Sequence, residues 1–350
     1  MKAISLFSGA GIGETYLKEC GVDVVVANEL IEKRANLYKT LYPDTRMICG
    51  DFTNDDIFNK VMNIATNKID FLLASPPCQG MSIAGKNRCE HSMLNDERNY
   101  LITFVVKAIK YTNPNYILIE NVPLLLKLKL LYNNQLLSVS EILALEFKDK
   151  YEIESKILDA ADYGVPQTRK RAIIKMNIKG TSWNWPLKIA PKITVKDAIG
   201  HLPTLESGET SNIPWHFARK HAHRNVLWMQ HTPTGKSAYS NRIYYPQHKD
   251  GKRIKGYESS YRRIKWDEPS PTITIRNDAI SSQRNVHPGR LMDNGLYSDA
   301  RVLTPLEIMM LSSLPKNWNI PDNTPEILIR QCIGESIPPL MLKKIIEEIL

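Results

Sequence analysis

The sequence predicts an α/β protein with a parallel or mixed sheet, interrupted late in the chain by an irregular basic insert. Three observations carry that prediction. Short apolar runs alternate with helix-period segments over the first 180 residues. From about Trp185 the rhythm disappears and prolines, histidines, basic residues and aromatics become frequent. After about Pro321 a helix-like tail returns as PPLMLKKIIEEIL, with apolar residues at helical spacing.

Taken in order, AISLF (3–7), VDVVVAN (22–28), IDFLLAS (69–75), YILIEN (116–121) and RAIIKM (171–176) read as strands buried on both faces. ETYLKEC and the stretch from Tyr100 to Tyr111 read as helices between them. The 350 residues are 43% hydrophobic and 24% charged, values of an ordinary globular protein with room for one large or two unequal domains. The longest apolar stretch, LLLKLKLLY at 124–132, is broken by lysines, so no membrane span is expected. The start, MKAISLFSGAG, reaches glycines too soon for a signal peptide. Cysteines 20, 49, 78, 89 and 332 are odd in number, scattered and without a C-x-x-C pair. That pattern argues against a disulfide framework or a metal site and for a reducing, cytoplasmic location.

Charge is concentrated. From His216 to Trp266 twelve Lys/Arg face two acids, a net +10 where the whole chain carries +9. The remainder is close to neutral, and such a footprint points to a polyanionic partner. At the other end of the chain, SLFSGAGIGE follows the first strand, with Gly9, Gly11 and Gly13 permitting a tight turn and close ligand approach. Glu29 ends the second strand about 20 residues on, where an acid can take ribose hydroxyls. The spacing is G-x-G-x-G, which fits a nucleoside cofactor without a pyrophosphate at least as well as a dinucleotide. A plain βα turn is the bland alternative.

ASPPCQGMS places Cys78 between prolines and Gln79, a stiff and polar setting for a thiol. YILIENVP sets Glu120 and Asn121 at a strand end, and YGVPQTRKRAII sets Arg169 and Arg171 two apart. Alone, each has a bland reading as a solvated acid, a basic edge or a core cysteine. In this order, however, LFSGAG (6–11), Glu29, Asp51, PPCQ (76–79), the Asp96/Arg98/Leu101 set, ENV (120–122), QTRKR (167–171), RVLTPLE (301–307) and GES-IPP (334–339) resemble the cytosine-C5 DNA methyltransferase family nearly end to end.

That resemblance implies a Rossmann-like S-adenosylmethionine-dependent domain over 1–188 and 324–350, and a small target-recognition domain over 189–323. It implies methyl transfer to C5 of a flipped cytosine in a short duplex DNA sequence, with S-adenosylhomocysteine as product. Cys78 would be the nucleophile that adds to C6. Glu120 would hold or protonate N3, Arg169 would support O2, and Arg171 would position the cysteine loop that also carries Gln79; Asn121 completes ENV. Phe7, Ala10 and Gly11, with Gly9 in the same loop, would meet the methionine and adenosine parts of the cofactor. Glu29 would meet the ribose, and Leu30, Asp51 and Phe52 the adenine, with Pro77, Leu101 and Ser336 completing the pocket. Duplex DNA is the expected partner, the chain is expected to be a monomer, and a restriction endonuclease acting on the same site is the implied companion. The alternative is a tRNA cytosine-C5 methyltransferase of the same fold. Three departures stand out: Glu335 where the family has asparagine, Ile12 where a glycine is common, and MLSSLP at 310–315 in place of an arginine-containing run. In the insert, arginines and lysines interleave with Trp, Tyr and five of the eight histidines, which suits phosphate and base contacts.

Overall fold

The computed structural model describes residues 1–65, 68–77 and 96–349. Among them, seven strands form one sheet in the order β3-β2-β1-β4-β5-β9-β8. These are β1 (Lys2–Leu6), β2 (Asp23–Glu29), β3 (Arg46–Cys49), β4 (Phe71–Ala74), β5 (Tyr116–Asn121), β8 (Tyr151–Asp159) and β9 (Lys170–Ile178). The first five pair in parallel, whereas β9 is antiparallel to both β5 and β8. The mixed sheet matches the expected fold class.

The expected strands are present because their apolar runs are covered on both faces. Every residue of β4 and β5 is buried, including Glu120 and Asn121 at the end of β5. The helices Asp55–Ile64 and Leu101–Thr112 contribute Phe58, Val61, Ile102, Val105 and Ile109 to the core beside Ile4, Leu72 and Ile117. Asn54 caps the first helix by accepting from the Asp56 and Ile57 amides, and Asn113 ends the second in a left-handed conformation. β1 has β2 on one side and β4 on the other, so the strand order reverses at β1. Ligands of open α/β sheets bind outside the carboxyl ends of the strands at such a point.

One local outcome differs from expectation, and others go beyond what was expected. ETYLKEC does not form an α-helix but two 3-10 turns, Ile12–Tyr16 and Lys18–Cys20. Left-handed Gly11 and Gly21 bracket the segment, and the Glu14 side chain is drawn into the interior. The leucine-rich run at 124–132 becomes a 3-10 turn, Pro123–Lys127, and the first strand of a ribbon, β6 (Lys129–Tyr132) with β7 (Gln135–Ser138). Asn133 and Asn134 both adopt positive φ, the geometry of a two-residue hairpin turn. β3 and β8 were not anticipated; β8 is an edge strand with a mostly exposed middle, so its apolar signal is weak.

The chain divides into two compact units: Met1–Asp159 with Lys170–Leu187 and Met341–Leu350, and Ala160–Arg169 with Lys188–Leu340. The second is wider than the expected insert at 189–323. Gln167 bridges Ser270, and Arg330 of the helix Glu326–Glu335 donates to Asn277 and Leu303, which ties both flanking stretches to it. The unit has few regular elements among its described residues, so much of its backbone lacks ladder partners. Buried arginines fill that role. Arg263 donates to the carbonyls of Met229, His287, Asp299 and Ser298. Arg301 donates to Leu205 and Val302 carbonyls and is paired at 2.8 Å with both Asp299 and Glu307. Burial lowers the Arg263 pKa to about 10. Burial alone would raise the Glu307 carboxyl, but Arg301 outweighs it and brings the pKa down to about 2. His287 is pushed by burial to about 3, and its Nδ1 accepts from the Gly289 amide, as a neutral ring must.

Candidate active site

The loop after β1 is built from within. Phe7, Gly9 and Gly11 all have positive φ, so the chain turns sharply off the strand. A Cβ at Gly11 would collide with the rings of Tyr38 and Tyr42, whereas one at Gly9 would meet nothing within 4 Å. Gly11 is thus needed for packing below the loop, and the Gly9 side stays open. Ala10 is buried beneath the turn. Tyr42 donates to the Gly11 carbonyl at 2.7 Å. Buried Glu14 accepts from Ser5 at 2.5 Å and from the Tyr38 hydroxyl, joining β1, the loop and the helix Glu32–Leu41. Burial raises the Glu14 carboxyl to about 7, with the two hydroxyls pulling it down. Sequence spacing offered no sign of this support, since Tyr38 and Tyr42 are distant in the chain and ordinary helix residues in pattern.

Glu29 ends β2 with one oxygen accepting from the Gly9 amide at 2.9 Å and the other from the Ile31 amide at 2.8 Å. The acid therefore shapes the loop directly, and Arg34 lies 3.9 Å from its Oε1. Leu30 is 63% exposed, an apolar side chain standing at the sheet edge. Phe52 is buried and packs edge-on against Phe7 at 5.7 Å. Exposed Asp51 accepts from the Thr53 amide and hydroxyl through Oδ1. Leu101 begins the helix Leu101–Thr112 and is half-buried; just before it, Asp96 and Arg98 form a two-bond fork. An open glycine, an apolar platform and two acids at the switch point are a donor set that fits a nucleoside carrying an amino-acid tail.

At the end of β5, Glu120 pairs with Arg171 of β9 at 2.7 Å, and both side chains are about nine-tenths buried. Arg171 also donates to the Lys170 carbonyl. The neighbouring Asn121 donates to the Pro76 carbonyl at 2.9 Å, fixing the chain just ahead of Pro77. Ser75 donates to the Phe7 carbonyl at 3.4 Å, so the loops after β1 and β4 are joined. Cys78 and Gln79 lie outside the described residues. The two arginines do not share a task. Arg169 belongs to the second unit, where it donates to the carbonyls of Ile273 and Gly334 at 2.8 and 3.0 Å. Gln167 beside it donates to Ser312 and accepts from the Ile273 amide. Ser336 in that unit donates to the Ile333 carbonyl. Among the described residues no group of three or more His, Cys, Asp or Glu could hold a metal ion, and no helix is long and apolar enough to cross a membrane.

The histidines of the insert separate into two sets. His216 is fully buried between Thr304 and the Pro203 carbonyl. His221 accepts from the Val302 amide, and burial pushes its pKa to about 4. His216 is thus turned inward, against the expectation for the segment as a whole, whereas His221 is half-buried with one ring nitrogen engaged. His223 and His248 are exposed.

The model of the C-5 cytosine-specific DNA methylase family matches residues 1–350, and the chain belongs to that family. It is a DNA cytosine-5 methyltransferase, and membership implies S-adenosylmethionine as methyl donor and double-stranded DNA as substrate. It is 61% identical over 347 residues to the Type II methyltransferase M1.HgaI of Avibacterium volantium, covering 99% of this chain and 97% of that one. It is 30% identical over 348 residues to M1.HphI of Haemophilus parahaemolyticus, covering 99% and 86%. Its fold is similar to the solved Entamoeba histolytica methyltransferase EhMeth, with a TM-score of 0.66 at 17% identity over 99% of this chain and 97% of that one.

Proposed function

We propose that this chain methylates C5 of a cytosine extruded from a short, specific duplex sequence, through a covalent bond between Cys78 Sγ and C6. The observation that carries this reading is the buried Glu120–Arg171 pair at the carboxyl end of β5, with Asn121 holding Pro76 two residues ahead of Cys78. Cytosine C5 is too poor a nucleophile to take a methyl group until a thiolate has added at C6. Glu120 holds N3 in its protonated form as the thiolate adds, so negative charge does not build up on the ring. Arg171 orients the Glu120 carboxylate and keeps a positive charge beside it. We assign Arg169 a positioning role within the second unit, because its two terminal nitrogens, Nη1 and Nη2, donate to the Ile273 and Gly334 carbonyls there.

S-adenosylmethionine, when bound, supplies an electrophilic methyl group on a sulfonium. Phe7, Ala10 and Gly11 would hold its methionine and adenosine parts, Glu29 would take the ribose, Leu30, Asp51 and Phe52 would meet the adenine, and Pro77, Leu101 and Ser336 would complete the pocket. After transfer, loss of the C5 proton and departure of Cys78 restore the aromatic ring. Extruding the base costs a few kcal/mol, which pocket contacts offset. The catalytic region comprises 1–188 and 324–350, and 189–323 reads the target. We read the chain as a monomeric cytoplasmic enzyme that protects the site of a companion endonuclease, and the Type II methyltransferase names of its relatives favour duplex DNA over tRNA. Incubation with methyl-labelled S-adenosylmethionine tests the reading. Label is expected at C5 of cytosine in duplex DNA; label on tRNA alone, or on an exocyclic nitrogen, overturns it.

A further inference from the structure

Within the second unit, the chain after the helix His223–Gln230 turns back as an arm from Asn241 to Ile254. Its base is pinned. Asn241 donates to the Trp228 and Tyr244 carbonyls and to Thr232, and the His231 ring stacks on Tyr244 at 3.9 Å. Arg253 donates to the Tyr239 and Asn241 carbonyls and lies 3.7 Å from the Tyr245 ring. Beyond that base the chain forms a short ribbon. Ile254 donates to Pro246, His248 donates to Lys252, and Gly251 closes the turn with φ of 82°. The tip from His248 to Arg253 is exposed throughout.

The arm and the helix enclose an open cleft of about 370 Å³, lined by Arg224, Ile243, Tyr244, Gln247, His248 and Lys249 among others. Five cations, Arg242, Lys249, Lys252, Arg253 and Lys255, face one acid, Asp250, between residues 242 and 255. Elsewhere in the basic segment Arg263 is buried, Lys265 is paired with Glu268 and Arg219 with Glu326. Within the arm Arg253 holds the base and Lys252 lies 3.5 Å from Asp250, while Arg242, Lys249 and Lys255 are exposed and form no salt bridge with another described residue. The Gln247, His248 and Arg224 side chains make no hydrogen bond to another described residue. Ile243 is 75% exposed beside them. A rigid base, a protruding two-stranded tip, unspent donors and acceptors, and an exposed apolar group form the equipment for reading base edges.

We infer that the Asn241–Ile254 arm and the helix His223–Gln230 are the base-reading element of this enzyme. The ribbon enters the major groove, with Gln247 and His248 as specificity-determining residues and Lys249, Lys252 and Lys255 on phosphates. This rests on the DNA-methyltransferase reading above. The B-form major groove admits a two-stranded ribbon, and a glutamine amide pairs with one base edge in two bonds. Ile243 is placed to contact a thymine methyl.

The test uses the full-length chain, a duplex library randomised around cytosine, and sequencing of methylated products. For Gln247→Ala and His248→Ala, preference at one or two base pairs is expected to flatten about tenfold or more. Binding selection on the same library reads that preference where turnover is too low. Replacing Lys249, Lys252 and Lys255 together by alanine should weaken binding to all sequences and reduce the slope of log affinity against log salt by about 3. An unchanged base preference in both single variants of an active enzyme refutes the inference, as does a triple variant with an unchanged salt slope. A parent enzyme that methylates no duplex refutes the underlying activity instead.

Discussion

In the first unit the buried carbonyls of β4 and β5 are taken up by neighbouring strands, and the interior beneath them is aliphatic, from Ile4 and Leu72 to Ile117 and Ile174. In the second unit, strands are replaced by loops, and the largest fully buried side chains of the molecule, Arg169, Arg263, Arg301 and Arg330, all lie there. The two regions solve one problem differently. A sheet satisfies its backbone by repetition, so its side chains are free to be apolar inside and functional at the strand ends. An irregular domain must satisfy each carbonyl individually, and guanidinium groups with five donors do so at the cost of burying charge. Basic residues in this irregular segment are therefore not all available to a polyanionic partner.

Four expected outcomes sharpen or break that comparison. The largest concerns the strand end of the first unit. Glu120→Gln removes the proton-holding carboxylate and should lower kcat by about 10²–10⁴ with little change in cofactor affinity. A variant with native kcat would remove Glu120 from the chemistry. Next is the second unit, where Arg263→Met removes a guanidinium that donates to four carbonyls, of which Met229 and Asp299 keep backbone donors and His287 and Ser298 lose theirs. Stability should fall by about 3 kcal/mol or more, read by denaturant unfolding. Exchange of amides in 226–302 should rise before that of β4 and β5 amides.

The third outcome is a pH dependence of opposite sign in the two regions. Glu14 has a folded pKa of about 7, above its ordinary 4.5, so the fold holds its proton more tightly than the unfolded chain does. Its contribution is present below pH 4.5 and is lost as pH rises toward 7, by at most about 3 kcal/mol. Glu14→Gln should therefore be more stabilising, relative to the native chain, at pH 8 than at pH 5. His287, at about 3, works the other way: its burial favours folding above pH 6.5, and the advantage is lost as pH falls toward 3. Glu307, at about 2, loses its contribution as pH falls from 4.5 through 2. Region-resolved hydrogen exchange, corrected for intrinsic rates, should show acid loosening the second unit ahead of the first; uniform loosening would contradict the assignment. The smallest effect belongs to Tyr42→Phe, which removes one hydrogen bond to the Gly11 carbonyl. It should cost about 1 kcal/mol and raise KM for S-adenosylmethionine more than it lowers kcat.

Legibility in the sequence followed the same division. The strands with apolar runs buried on both faces were readable because period and composition report burial directly, as at β4 and β5. The loop glycines and Glu29 were readable because the glycines follow the first strand and Glu29 ends the second, whereas the strand order that makes this a switch point was not. Edge strand β8, mostly exposed at its centre, carried too little apolar signal. The leucine-rich stretch at 124–132 was read by composition, whereas its fate is decided by the Asn133–Asn134 turn. In the second unit the net charge of 216–266 was visible, but not that Arg263 and His216 turn inward. Nothing local distinguishes a guanidinium that caps carbonyls from one that meets phosphate. The same blindness covers Arg169 and Arg171, adjacent in pattern yet committed to different units.

The proposed chemistry needs the Cys78 thiolate to add to the ring while Glu120, paired with Arg171, holds N3. Its most direct measurement is peptide mapping by mass spectrometry of the enzyme after reaction with S-adenosylmethionine and a duplex bearing 5-fluorocytosine at the target. Fluorine at C5 blocks the final elimination, so an attacking thiolate stays attached. The account predicts a stable protein–DNA adduct located at Cys78, with the methyl group on the base, and none in Cys78→Ser. An active enzyme that forms no adduct, or one attached at another residue, would contradict it.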